Sequence, residues 1–143
     1  MPDRFFLDTN VLVYLYSNTE PGKRKIVQGL ASAPGAIVST QVLSELANVL
    51  KKKFTLPEAQ IAKVIDEITS ACDVTLVNPE MILASLRLAE KYRYSFYDSL
   101  IIAASLASGA NFLYSEDLQH GQRIESSLVI KSPFRRKRAK SAN

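Results

Sequence analysis

Short apolar runs alternating with stretches of helical periodicity constrain this chain more than any other feature. Phe5-Phe6-Leu7, Ala36-Ile37-Val38 and Asn111-Phe112-Leu113-Tyr114 are each too short for a helix. Between them, apolar residues recur at the three- and four-residue spacing of an amphipathic helix. Strands separated by helices in this way argue for an α/β fold, a parallel sheet covered on both faces. With 47% apolar residues, the 143-residue chain has the means to build one such core.

The pattern predicts strands over Arg4–Leu7, Ala36–Ser39, Asp73–Val77, Asn111–Tyr114 and a short fifth over Leu128–Ile130. Helices are expected over Thr9–Tyr16, Lys23–Ser32, Gln41–Lys53, Pro57–Ala71, Pro79–Tyr92 and Phe96–Ser108. Pro34-Gly35 breaks the second helix. Asn78-Pro79 and Ser95 are start signals, and Gly109 is a stop. No repeat or long linker divides the chain, so one domain is expected over residues 1–132, followed by a tail over 133–143.

Charge separates those two parts. Six of the 18 basic residues fall at Lys131, Arg135, Arg136, Lys137, Arg138 and Lys140, and no acid follows Glu125. A basic, flexible terminal segment suits a polyanion such as RNA, and equally suits a solvated end. Arg135, Arg136, Lys137 and Arg138 are therefore candidate RNA contacts. No apolar stretch approaches the roughly 18 residues of a membrane span, and the N-terminus has no signal-peptide pattern. A single cysteine, Cys72, excludes an intrachain disulfide and suits the reducing cytoplasm.

Four acids stand where a solvated surface does not need them. Asp8, Glu45 and Asp117 each follow an apolar strand, and Asp98 opens a helix of Ile, Leu and Ala. Each has an ordinary explanation alone. Asp8 suits a helix cap, Glu45 a solvated helix face, Asp98 the capping pattern Ser95-Phe96-Tyr97-Asp98, and Asp117 a turn. If the first, second and fourth strands are neighbours, Asp8, Glu45 and Asp117 converge beyond their carboxyl ends, where such folds bind ligands, and Asp98 comes in from the start of the helix before strand four. Clustered carboxylates cannot all ionise without a counter-charge. An all-oxygen set suits Mg²⁺ or Mn²⁺, and the single histidine, His120, makes zinc improbable. A metal bound there would acidify a water and neutralise a phosphoryl oxygen.

The four segments that carry these acids resemble PIN-domain ribonucleases, in particular the VapC-type toxins of bacterial toxin–antitoxin pairs. They are Phe6-Leu7-Asp8-Thr9-Asn10-Val11-Leu12, Ser39-Thr40-Gln41-Val42-Leu43-Ser44-Glu45, Ser95-Phe96-Tyr97-Asp98-Ser99-Leu100-Ile101-Ile102-Ala103-Ala104 and Leu113-Tyr114-Ser115-Glu116-Asp117-Leu118. The resemblance implies an α/β/α sandwich with a five-stranded parallel sheet of order 3-2-1-4-5. It implies that Asp8, Glu45, Asp98 and Asp117 form a catalytic quartet holding Mg²⁺ or Mn²⁺, supported by Asn10 and Ser115. It further implies hydrolysis of single-stranded RNA, a homodimer and a VapB-like antitoxin. Glu116 departs from the commonest pattern and is read as facing solvent, because adjacent residues seldom face one pocket. Apolar residues on the helix near Leu56–Ala71 are the expected dimer surface.

Two other Asp-bearing α/β classes fit less well. A haloacid dehalogenase-type phosphatase wants a second Asp where Asn10 stands, and a receiver domain wants a phospho-accepting Asp where the third strand meets Asn78-Pro79. The rival from another class is a PIN-fold RNA-binding or regulatory module with little or no catalysis.

Overall fold

A computed structural model describes residues 3–135. It contains β1 (Phe5–Leu7), α1 (Thr9–Leu12), α2 (Pro21–Ala31), β2 (Ala36–Ser39), α3 (Thr40–Lys52), α4 (Glu58–Ala71), β3 (Asp73–Thr75), α5 (Pro79–Tyr92), α6 (Phe96–Ala107), β4 (Phe112–Tyr114), β5 (Arg123–Ile124) and β6 (Leu128–Lys131). A single six-stranded sheet runs β3-β2-β1-β4-β6-β5. All neighbouring pairs are parallel except β5–β6. The expected order is thus present, with β6 in the place of the fifth strand. The expected count of five is corrected to six, because β5 returns as a short antiparallel edge.

The chain steps from β1 to β2 to β3 in one direction and then from β3 back across to β4. Right-handed crossovers put α1–α4 on one face and α5 and α6 on the other. The direction reverses between β1 and β4, whose register pairs Phe6 with Leu113 and Leu7 with Tyr114. Phe6, Ile37, Leu113 and Ile130 from four adjacent strands are fully buried and form the middle of the core. α6 runs through that core, with Ser99–Ser105 buried along its length.

Two expected elements are shorter than their patterns. The Thr9–Tyr16 helix tightens after Leu12 into a 3-10 turn over Val13–Tyr16. The third strand ends at Thr75 because Val77 N donates to Thr40 Oγ1 at 3.1 Å, which draws the backbone toward α3, and Leu76 is left 69% exposed. Entry to β2 requires Gly35. Its φ is +93°, and a Cβ there would meet Asp3 O at 2.6 Å. The face of α4 near Leu56–Ala71 is not an apolar surface, since Ile61, Val64 and Ile68 are buried. The exposed large apolar residues include Ile82, Leu83 and Leu86 on α5 and Phe96 and Tyr97 at the start of α6.

Candidate active site

Asp8 leaves the end of β1 at the point where the strand order reverses, the usual ligand position of an open α/β sheet. It caps α1, with Oδ1 accepting from Thr9 N at 2.7 Å. Oδ2 accepts from Ser115 Oγ at 2.9 Å. The residue is only 6% exposed. Burial raises its carboxyl from 3.8 to about 7; the Ser115 and Thr9 hydrogen bonds oppose the rise, and the charges of Glu45 and Asp98 add to it. The cap reading and the site reading of Asp8 therefore describe one side chain with two oxygens in use.

Glu45 enters from the second turn of α3. Burial pushes its carboxyl up, hydrogen bonding with the Thr9 hydroxyl among others holds it down, and Asp98 raises it further. The Thr9 hydroxyl lies at the long distance of 3.5 Å, a weak bond by geometry. Asp98 occupies the first turn of α6, where its backbone N donates to Ser95 Oγ at 3.2 Å. That is half of the capping pattern. Among the described residues the Asp98 carboxylate makes no hydrogen bond, and it faces the same cavity as Asp8 and Glu45. Gln41 Nε2 donates to Tyr97 O at 3.1 Å and ties the start of α3 to the start of α6, the elements that carry Glu45 and Asp98.

Asp117 follows β4, and Asn10 reaches it across the cavity. Asn10 Nδ2 donates to Asp117 Oδ2 at 3.0 Å and stands 3.2 Å from Ser115 Oγ. Asn10 Oδ1 in turn accepts from Glu116 N at 3.2 Å, and Asp117 N donates to Ser115 Oγ at 3.3 Å. Asn10 and Ser115 thereby join the acids at the ends of β1 and β4 into one network. All four acids line a single cavity of about 790 Å³.

Glu116 lines that cavity too, rather than standing apart in solvent. Its two oxygens are taken by the Tyr14 hydroxyl and by Lys23 Nζ, the latter at 3.2 Å. Lys23 also sits over the rings of Tyr14 and Phe134, at 4.8 and 5.0 Å from their centroids. Sequence reasoning missed Tyr14 and Lys23. The signal available was an acid beyond the shared motif, Glu116, in want of a counter-charge, and the basic start of α2. Phe134, assigned from sequence to the tail, packs edge-on against Tyr14 with ring centroids 5.0 Å apart. Arg135 follows it at the surface, and Arg136, Lys137 and Arg138 lie outside the described residues.

Neither remaining special residue belongs to the site. His120 Nδ1 accepts from Ser132 N at 2.9 Å and pins a loop. Cys72 is buried, and burial pushes its thiol up to about 11, which leaves it protonated and inert.

A fold with this switch point and this acidic end matches a known family. The sequence model of the PIN domain matches residues 5–123. The chain belongs to the PIN domain family. Solved structures share the fold of this PIN domain. A toxin–antitoxin complex from Klebsiella pneumoniae superposes with a TM-score of 0.68 at 19% identity, covering 90% of this chain and 97% of that one. A DNA-bound VapBC from Salmonella typhimurium gives 0.65 at 20% identity, over 92% and 99% of the two chains. VapC20 of Mycobacterium tuberculosis, a sarcin-ricin loop cleaving toxin, gives 0.64 at 21% identity, over 79% and 89%. No curated protein sequence shows significant similarity to the chain. Among the described residues of this PIN domain, no helix is long and apolar enough to cross a membrane.

The donor set fits a hard divalent cation. The quartet offers only oxygen, and no histidine or cysteine lines the cavity. The carboxyl of Asp8, pushed up to about 7 by burial, holds a proton that a bound cation would displace. Among the described residues no three Asp, Glu, His or Cys side chains are drawn tightly enough together to enclose an ion as they stand.

Proposed function

We propose that this PIN domain is a Mg²⁺- or Mn²⁺-dependent endoribonuclease for single-stranded RNA and the toxin of a VapBC-type toxin–antitoxin pair. The observation that carries this reading is the placement of Asp8. It is a buried acid at the sheet's switch point, with Glu45, Asp98 and Asp117 on the same cavity. Such a group is costly unless positive charge arrives.

In this reading Asp8, Glu45, Asp98 and Asp117 hold the ion. When bound, it supplies a water of lowered pKa and neutralises charge on the scissile phosphoryl group. Thr9 N and Ser115 fix the direction of Asp8, and Asn10 fixes Asp117. Glu45, whose carboxyl burial pushes above the ordinary carboxylate range, is suited to accept a proton from the attacking water. The single-stranded preference follows from the need to place one phosphodiester inside a cavity rather than on a surface.

The antitoxin partner is supported by the Klebsiella and Salmonella neighbours, whose structures hold toxin and antitoxin together. A VapB-like protein would inhibit by covering the acidic cavity. A homodimer would bury the exposed residues of α5 and the start of α6. The basic segment beginning at Arg135 would contact RNA, and a cytoplasmic location fits this substrate.

The test is cleavage of labelled single-stranded RNA with Mg²⁺ or Mn²⁺, then with EDTA, by the unmodified protein, Asp8→Asn and Asp98→Asn. Cleavage that needs the ion and falls at least about a hundredfold in both variants is expected, by the size of lost electrostatic catalysis. Cleavage that survives chelation, or that both variants retain, would overturn the mechanism. RNA binding without turnover would favour the rival RNA-binding or regulatory module.

A further inference from the structure

The cavity is much larger than an ion requires. A cation with six waters fills about 200 Å³ at ~30 Å³ per water, against about 790 Å³ available. The remainder extends away from the quartet, along the 3-10 turn and loop after α1 and the C-terminal end of α3. Its lining changes character there, from clustered carboxylates to Tyr16, Asn18, Thr19, Lys53 and Phe54 with the single acid Glu20.

Lys53 is the one basic side chain among the lining residues, beside six acids. It caps the end of α3, where its N–H donates to Val49 O. Its neighbour Lys51 is committed to Glu58 at 3.0 Å, whereas Lys53 makes no ion pair among the described residues. Phe54 and Tyr16 are half-buried and line the same space. Burial and then the charge of Glu67 push the Tyr16 phenol up to about 12, so that side chain stays neutral. The facing loop is held in shape, since Thr19 N donates to Ser17 Oγ at 3.3 Å. The Asn18 amide makes no hydrogen bond among the described residues.

We infer that this lobe is a nucleotide subsite, holding the RNA residue next to the scissile phosphate. Lys53 takes the neighbouring phosphate, Phe54 and Tyr16 pack against the base, and Asn18 faces the base edge. Glu20, on the same loop, repels a phosphate there and accepts from an exocyclic amine, which sets the strand's direction through the cavity. Aromatic stacking with an unpaired base and a nearby cation is the usual chemistry of single-stranded RNA recognition. The inference rests on the ribonuclease reading above.

Binding of a short fluorescein-labelled single-stranded RNA of mixed sequence is measured by anisotropy in full-length Asp98→Asn protein over a salt series. Lys53→Met is expected to weaken binding about fivefold and to reduce the slope of log K against log salt by about 0.7. Phe54→Leu keeps the apolar fill and removes the ring, and is expected to weaken binding about tenfold with little change in slope. Lys63→Met, on the exposed face of α4, serves as control. Affinity and slope equal to the control in both variants would overturn the subsite, as they would if the lobe takes a peptide instead. Failure of the unmodified protein to cleave RNA, with binding still sensitive to Lys53 and Phe54, would remove the catalytic reading and its scissile phosphate while supporting the lobe as a nucleotide-binding site.

Discussion

Ser115 donates its hydroxyl to Asp8 across 107 positions of sequence, at 2.9 Å, inside a region that water barely reaches. It is the strongest influence holding the Asp8 carboxyl down against burial. Ser115→Ala should therefore drive that carboxyl above about 7. A proton and a cation compete for the same oxygens, so Mn²⁺ affinity at neutral pH should fall about tenfold for each unit of rise. Titration with Mn²⁺ at neutral and at alkaline pH checks this. The deficit should shrink as pH rises, and a deficit independent of pH would mean that Ser115 acts only on shape.

Asp8 also sets the pH dependence of stability in the ion-free protein. The folded state keeps its proton up to about 7, while the unfolded chain releases it near 3.8. Between those values the native state binds more protons than the unfolded state, so stability falls as pH rises through the window and is level above it. The full loss is on the order of 4 kcal/mol. Glu45, raised in the same direction, adds to it. Denaturant melts in EDTA should show Asp8→Asn more stable than the unmodified protein at pH above the window, with a flatter profile. Added Mg²⁺ should raise the melting temperature of the unmodified protein more than that of the variant.

The Lys23–Glu116 pair predicts an energetic coupling between α2 and the loop after β4. Both side chains are about one-third exposed or less, at 32% and 27%, and the Lys23 ammonium also lies near the rings of Tyr14 and Phe134. A double-mutant cycle of Lys23→Met and Glu116→Gln should give a favourable, non-additive coupling that weakens as salt is added. Additive losses would show that the ion pair is incidental to the ring contacts.

Phe134 places the root of the basic segment against Tyr14, whose hydroxyl holds Glu116 at the cavity wall. Truncation after Phe134 removes Arg135, Arg136, Lys137, Arg138 and Lys140. It should weaken RNA binding and flatten its salt dependence, by about 0.7 in slope for each phosphate that the segment neutralises. The cleavage step should keep its ion requirement. Affinity unchanged at every salt concentration would remove the RNA role of this segment.

Much of the architecture is legible in the sequence because it depends on local rules. Apolar spacing marks α3, α4 and α5, while Ser39, Asn78 and Ser95 each cap the helix they precede. The sheet order came with the family resemblance rather than from spacing. β5 escaped notice because Arg123–Ile124 is too short to carry a period, and only its pairing with β6 makes it a strand. Leu56–Ala71 misled as a surface because an apolar stripe looks the same whether it packs inward or lies open.

The amino-acid order by itself determined most of the helices and the strand cores, since these follow from the spacing and chemistry of near neighbours, and it singled out the four acids as candidates. Only the tertiary structure decided that Asp8 is shut away from water beside Glu45 and Asp98, and that Lys23 and Tyr14 withdraw Glu116 from the open acids. Desolvation and charge pairing depend on distances between residues remote in the chain, and those distances exist only once the sheet has closed around them.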